Sequence, residues 1–356
     1  MMAETSAPMD DDTYWLEDWG LYAAIKEDHE GKPWFEWPVP LRDREPAALA
    51  EYHERAHQHV EQQQRFEAAW QQLQQTAIHY GVSLIGDLPI FVSHDSADVW
   101  AHRHLFQLNE DGMPELVAGV PPDYFSEGGQ KWGTVLYRWD AHQREGWRWW
   151  KERMNRMLRL FDIVRIDHFR AVHSNWAIPT HDEDARHGWW QEGPAGELLD
   201  ALVETSGEPG RILAEDLGII PKDVVALRRR FNLPGMAVLQ FGFDGNASNP
   251  HHPANIQADQ VAYTGTHDNN TTRGWWERLD DETKQRVNRL LEPDEPPTEG
   301  LMRLASESKA SMVVHPLQDV LGLGEEARMN TPGTFEGNWN WRFAWTDLPG
   351  EKDGLP

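Results

Sequence analysis

The chain has 356 residues, enough to bury a substantial core as one large domain or two modest ones. It contains no cysteine, which excludes a disulfide framework, a thiolate nucleophile and a thiolate metal site. With 59 acidic and 33 basic residues the net charge is −26, which argues against a nucleic-acid partner, because phosphate contacts need a basic face.

The acidic start, 1–12, lacks the basic-then-apolar order of a secretory signal, and no apolar run approaches the roughly 20 residues of a membrane span. The expectation is a soluble cytoplasmic protein without membrane association. Residues 13–44 mix aromatics with Pro33, Pro38 and Pro40 and predict a short helix followed by irregular structure. From 45 to 80 there is no proline after Pro46 and no glycine, which predicts one long helix or two in sequence. Residues 82–90 predict a buried strand. Residues 91–140, rich in Gly, Pro and aromatics, read as a largely helical insertion after the strand ending at Ile90. Connections of that length serve as lids or small subdomains.

Strand and helix signals then alternate. Strands are expected at 161–167, 210–215, 236–242, 261–267 and 311–317, with helices at 141–160, 194–206, 221–231 and within 280–310. This order argues for a parallel sheet with helical crossovers. Six strands follow from residue 82 onward, and a closed barrel needs eight. Nothing before 82 reads as a convincing pair of strands. The expected fold is therefore α/β: a (β/α)8 TIM-type barrel incomplete at its N-terminal strands. It would form one catalytic domain over 1–356, with 91–140 inserted as a lid or subdomain.

Three short acidic motifs stand where apolar segments give way to loops: Arg165-Ile166-Asp167-His168, Ala214-Glu215-Asp216 and Thr266-His267-Asp268. On parallel barrel strands such carboxylates converge at one mouth. Converging acids with no metal motif beside them point to sugar chemistry, in which one carboxylate attacks or stabilises the anomeric carbon and another shuttles the proton. Each motif also has a plainer reading. Asp167 can be a strand-end acid paired with Arg165, since alternate strand residues share a face. The same guanidinium would keep it ionised, as a nucleophile requires. Glu215 can simply lead a helix, and Asp268 before Asn269 and Asn270 can be a turn. Singly these signals are weak; in this order, after strands, they are specific.

His53-Glu54-Arg55-Ala56-His57 matches the helical zinc-protease pattern, which sets two imidazoles on one face. Its flanks, Gln58, Gln62, Gln63 and Gln64, describe a solvated face, and no third ligand is evident. A zinc metalloprotease is thus only the remote alternative, and no metal is expected. His102, His104, His251 and His252 read as surface or loop histidines. Any single one of the 19 tryptophans is more readily core than sugar platform, although flat apolar faces suit sugar rings.

A set of longer stretches carries a family resemblance. They are 86–90 (Gly86-Asp87-Leu88-Pro89-Ile90), 119–126 with 129–133, 165–170, 214–218, 233–236 with 239–241, 264–269, 316–319, and 329–334 with 338–342. On these the chain resembles the amylomaltase (4-α-glucanotransferase) family of α-amylase-type retaining glucan transferases, almost continuously from Tyr14 to Trp345. The resemblance implies Asp167 as nucleophile, Glu215 as acid/base, and Asp268 as a third acid that grips sugar hydroxyls in the transition state. Arg165 and His267 would orient the nucleophile and the reacting sugar, with Asp87 in support and Asn330 beside the ring. Asp123, Tyr124, Phe125 and Trp132 match a mobile loop that covers the glucan and favours sugar acceptors over water.

The implied activity is transfer of α-1,4-glucan segments between maltooligosaccharides by a retaining double displacement, with no metal or organic cofactor. Family members normally begin with a further stretch that holds the first barrel strands. The alternative is therefore a truncated, impaired relative that binds glucan or needs a partner chain or oligomer to cover exposed barrel edges. Smaller departures, Thr134-Val135, Ala171-Val172 and His251-His252, bear on acceptor binding and chain-length preference.

Overall fold

A computed structural model describes residues 14–122, 127–334 and 336–348. These divide into two units, Met1–Glu215 with Ile220–Phe231, and Asp216–Ile219 with Asn232–Pro356.

In the first unit the strands are β1 (Ile85–Pro89), β2 (Leu116–Val120), β3 (Gln130–Val135), β4 (Ile163–Asp167), β5 (Ser174–Pro179), β6 (Trp189–Glu192) and β7 (Ile212–Ala214). Three of them form a parallel sheet in the order β1-β4-β7, with Asp87 opposite Arg165 and Ile166 opposite Ala214. The period of two in β4 explains its placement: Val164 and Ile166 are fully buried, while Arg165 and Asp167 share the other face. On β1, Gly86 is required by close packing, because a Cβ there would run into the ring of Phe161. Helices Arg148–Leu160 and Gly196–Ser206 lead into β4 and β7, as a parallel connection demands.

The helix expected over 141–160 is two helices, Trp139–Arg144 and Arg148–Leu160. They part where Gly146 (φ 62°) and Trp147 (φ 63°) enter the left-handed region. Glycine does so freely, and the Trp147 side chain is held there by burial. Upstream, the helical stretch 45–80 also resolves into two helices, Pro46–Ala50 and His53–His79. The second packs on Leu16–Asp28 so closely that a Cβ on Gly20 would lie 2.9 Å from the Ala56 carbonyl oxygen.

The insertion 91–140 is not largely helical. Short helical turns at Ala97–Ala101 and Arg103–Leu105 give way to β2 and β3. Both join an antiparallel sheet in the order β3-β2-β5-β6, so the insertion is hydrogen-bonded to strands that follow β4 in the chain. Val117 and Val120 in β2 suit a strand, and Gly119 lets Gln130 approach where a Cβ would strike its carbonyl. Composition rich in Gly and aromatics disguised this pairing, whose partner β5 lies far along the chain.

The second unit carries β8 (Gly235–Val238), β9 (Gln260–Tyr263) and β10 (Met312–Val314), parallel in the order β10-β9-β8. Ala237, Leu239, Ile256, Ala262, Val287, Leu301 and Ala305 fill its core. Helices Thr272–Arg278, Asp281–Asn288 and Pro297–Ser306 connect β9 to β10. The first two start on side-chain caps, Thr271 accepting from the Gly274 N–H and Asp280 from that of Thr283. Beneath β9, Asp319 is 2% exposed and fully engaged: it accepts from Thr264 Oγ1 (2.6 Å), Thr272 Oγ1 (2.7 Å) and the Thr272 N–H (2.8 Å).

The six parallel strands are those expected from the sequence, each shorter than read, and among the described residues none precedes β1. The α/β class holds, with four antiparallel strands added. No helix among the described residues is long and apolar enough to cross a membrane.

Candidate active site

At the C-terminal end of the first parallel sheet, β1, β4 and β7 deliver Asp87, Arg165, Asp167 and Glu215. Arg165, 8% exposed, donates from Nε and Nη2 to the two carboxylate oxygens of Asp87 (3.0 and 2.7 Å) and from Nη2 to Asp167 Oδ1 (2.8 Å). Sheet register brings the three together: Asp87 faces Arg165 across the strand pair, and Asp167 follows on the same face. Burial, the largest influence on the Arg165 guanidinium, pulls its pKa down. The hydrogen bond to Asp87 and the charges of Asp87, Asp167 and Glu215 outweigh it, and the net direction is upward.

Glu215 extends β7 by one residue. Its N–H donates to the Ile166 carbonyl and its carbonyl accepts from the Phe169 N–H, both at 3.0 Å. Between these, His168 turns into the left-handed region (φ 50°), and its N–H donates to Glu215 Oε2 at 2.6 Å. The His168 ring stands edge-on to Trp132, with centroids 4.8 Å apart, and Phe91 lies beside it. Burial, with a smaller contribution from the Arg170 charge, drives the imidazole pKa down to about 4, so the ring is neutral near pH 7. Trp132 sits on β3, half-exposed, its Nε1 donating to Gln130 Oε1 at 3.0 Å. The other expected loop residues, Asp123, Tyr124 and Phe125, lie outside the described residues.

The second unit gathers His267, Asp268 and Asn330. Asn330 Nδ2 donates to Asp268 Oδ1 at 2.6 Å, and its N–H to the His267 carbonyl at 3.1 Å. Arg328 Nη2 donates to the Asp268 carbonyl at 2.8 Å, and the His267 ring rests against Trp339 with centroids 5.1 Å apart. The turn read after Asp268 is present too, closed by Asn269 Oδ1 on the Thr266 N–H. Arg328, Trp339 and the backbone of His168 were not foreseen. The first two carry no periodic signal, and the last is a matter of conformation.

The remaining histidines divide. His53 and His57 lie exposed on the helix His53–His79, and His57 pairs with Glu61 at 3.4 Å. Among the described residues no group of three or more His, Cys, Asp or Glu side chains is placed to hold a metal. His104 accepts the surface reading, bonded to Glu145. His251 does not: its Nδ1 accepts the Val238 N–H at 3.2 Å, and burial lowers its pKa to about 4. Its ring is therefore a structural acceptor for the end of β8. Burial likewise lowers the pKa of His102.

Chemically, the first unit offers two carboxylates at the ends of adjacent strands in different surroundings. Asp167 is salt-bridged to a buried guanidinium, and Glu215 accepts a backbone N–H. One is suited to attack as an anion and the other to carry a proton.

Comparison with known proteins identifies the chain's relatives. A family model described as 4-alpha-glucanotransferase matches residues 3–347. The 4-alpha-glucanotransferase of Thermus thermophilus is 48% identical over 354 residues, covering 96% of this chain and 70% of that protein. The chloroplastic/amyloplastic 4-alpha-glucanotransferase of Solanum tuberosum is 46% identical over 335 residues, 92% of this chain but 58% of its own length. Amylomaltase from Streptococcus agalactiae, solved in complex with acarbose, has a similar structure: the TM-score is 0.90 at 36% identity, over 94% of this chain and 69% of that one. The chain thus spans between 58% and 70% of the length of these relatives.

Proposed function

Because the chain belongs to the 4-alpha-glucanotransferase family, we propose that it transfers α-1,4-glucan segments between maltooligosaccharides with retention at the anomeric carbon. The observation that carries this reading is the ion pair of Asp167 with Arg165 on the strand next to the one that ends in Glu215. Asp167 attacks C1 of the donor as the C1–O4 bond breaks, and Glu215 gives its proton to the departing O4. A glucosyl ester on Asp167 results. The 4-hydroxyl of an acceptor then loses its proton to Glu215 and attacks C1, which releases Asp167. This retaining course calls for the two carboxyl groups to stand roughly 5–5.5 Å apart. It needs no metal or organic cofactor.

In this reading Arg165, with Asp87 behind it, keeps the nucleophile anionic and aimed. Asp268, held by Asn330, grips sugar hydroxyls as the ring flattens, with His267 alongside. Acarbose bound to the Streptococcus agalactiae relative supports a site shaped for α-linked glucose units. Residues 91–140 act as a lid within a single catalytic domain over 1–356, Trp132 and the stretch Asp123, Tyr124 and Phe125 shielding the glucosyl ester from water. The six parallel strands are six of the eight of a (β/α)8 barrel, the others coming from polypeptide outside them, in the same chain or a partner.

Incubation with maltotriose tests the proposal. A ladder of longer maltooligosaccharides together with glucose, absent in Asp167→Ala, is the expected result. Glucose and maltose with nothing longer would make the protein a hydrolase, and turnover unchanged in Asp167→Ala would remove the nucleophile from the scheme.

A further inference from the structure

We infer that His168 is a positioning residue that acts through its backbone: its left-handed conformation lets its own N–H and that of Phe169 both meet Glu215, the first at the carboxylate, and so sets the protonation balance of the acid/base. The inference rests on the proposed role of Glu215, and goes beyond it by naming what governs that carboxylate.

Three observations carry it. The first is conformational. A non-glycine residue at φ 50° is uncommon, and such a conformation persists where its surroundings impose it. The second is the hydrogen bond itself. At 2.6 Å the His168 N–H reaches Glu215 Oε2 from the end of the neighbouring strand, while the next N–H, of Phe169, reaches the Glu215 carbonyl at 3.0 Å; in extended backbone successive N–H groups point to opposite sides, so the turn at His168 brings both onto one residue. The Glu215 backbone is held on both sides by Ile166 and Phe169, so donor and acceptor are fixed in the same frame. The third is how the ring is used. The imidazole Nε2 is buried without a hydrogen-bond partner, and the ring is wedged by Trp132 at 4.8 Å and Phe91 at 6.3 Å. Packing, not polar contact at Nε2, holds it, and this is what offsets the backbone strain.

A hydrogen bond from a fixed donor favours the ionised carboxylate. Glu215 must be protonated to release the leaving chain and ionised to activate the acceptor, so a donor that biases its ionisation sets the pH window for both steps. Charged groups of these elements have partners of their own. Arg165 is engaged with Asp87 and Asp167, and its charge couples to Glu215. Asp216, the next residue, accepts the Met236 N–H, and Arg170 stacks over the Trp190 ring at 3.7 Å. On β3, Lys131 donates to the carbonyls of Thr180 and Asp182. With the His168 ring neutral down to about pH 4, the ring itself adds no titration in the working range.

The test is the pH profile of kcat/KM for maltotriose transfer in His168→Asn, His168→Gly, His168→Ala and His168→Val. Asn and Gly tolerate positive φ, Ala less so, and the β-branched Val least. If the backbone acts, Asn and Gly keep the wild-type basic limb. Val moves it up by about one pH unit, the size expected for a lost hydrogen bond to a charged group, and Ala falls between. Should Val not fold, Ala against Asn and Gly makes the same comparison. A displacement in Asn and Gly as large as in Ala or Val overturns the inference in favour of the ring, and an unmoved limb in every variant overturns it outright. Glu215→Ala serves as control with an α-glucosyl fluoride donor, whose leaving group needs no proton. Loss of maltotriose transfer with a burst of about one fluoride per enzyme retained upholds the acid/base role independently. Retained maltotriose transfer in that variant defeats the role itself, whatever the His168 series shows.

Discussion

Arg165 and Asp167, alternate residues of one strand, lie with guanidinium and carboxylate 2.8 Å apart, and the same guanidinium chelates Asp87 on the strand beside it. The acid assigned as nucleophile is therefore held by a cation that is itself held by a second acid. A planar fork can span both carboxylates, which a lysine ammonium on its flexible stem cannot do at once. Arg165→Lys should lower kcat for glucan transfer roughly 10-fold to 100-fold with a smaller change in KM, and Arg165→Ala about 100-fold or more, the scale of losing catalytic alignment. Steady-state kinetics on maltotriose check this. A wild-type kcat in Arg165→Lys would show that the bidentate geometry is not needed.

Asn330 donates to Asp268 at 2.6 Å, and its own N–H is tied to the His267 carbonyl. Replacing the amide with a carboxylate sets two anions against each other. Asn330→Asp is expected to cost more transfer activity than Asn330→Ala, by about 10-fold, and to recover partly as pH falls and one acid of the pair takes up a proton. Equal losses at every pH would mean that Asn330 contributes shape alone. The comparison needs only rates at three or four pH values.

His142 is 1% exposed, enclosed by Tyr137, Trp139, Trp147 and Trp149 with ring centroids between 5.3 and 6.5 Å. Burial, the largest influence, lowers its pKa to about 4. An unfolded histidine titrates near 6.5. Between those values the unfolded chain binds the extra proton, so stability from this site is present above about pH 6.5 and is lost as pH falls toward 4. The full effect is on the order of 3 kcal/mol. His142→Phe should flatten this part of the stability curve, measured by urea unfolding at pH 7 and pH 4.5. An unchanged slope would place the acid sensitivity at His168 or His251, whose pKa values are lowered to the same degree.

Asp319 sits fully buried under three donors from Thr264 and Thr272. Asp319→Ala strands those donors and should destabilise the second unit by about 2–4 kcal/mol, whereas Thr264→Val, which removes one hydrogen bond to the carboxylate, should cost about 1–3 kcal/mol. Thermal unfolding separates the two. Similar melting points for Asp319→Ala and wild type would show that the donors find other acceptors.

Much of the parallel scaffold was legible because it is local. Val164 and Ile166 alternate with Arg165 and Asp167, and that pattern needs no knowledge of the rest of the chain. The antiparallel sheet was not legible for the opposite reason. Leu116–Val120 becomes a strand by pairing with Ser174–Pro179, and neither stretch announces the other. His251 misled in a third way: beside a loop proline and another histidine it looks exposed, and only packing reveals it as an acceptor for the Val238 N–H.

By itself the sequence determined which residues can do chemistry: three acids at the ends of apolar segments, an arginine two positions before one of them, and a pattern of parallel strands and crossovers. Those are consequences of period and residue type, which the chain carries wherever it goes. Tertiary structure alone decided which of these groups meet. Strand register set Asp87 against Arg165, and a left-handed turn at His168 brought two successive backbone N–H groups onto Glu215. The reason is physical. A hydrogen bond between residues 47 apart depends on register and backbone dihedrals summed over every element between them, and no local pattern encodes that sum.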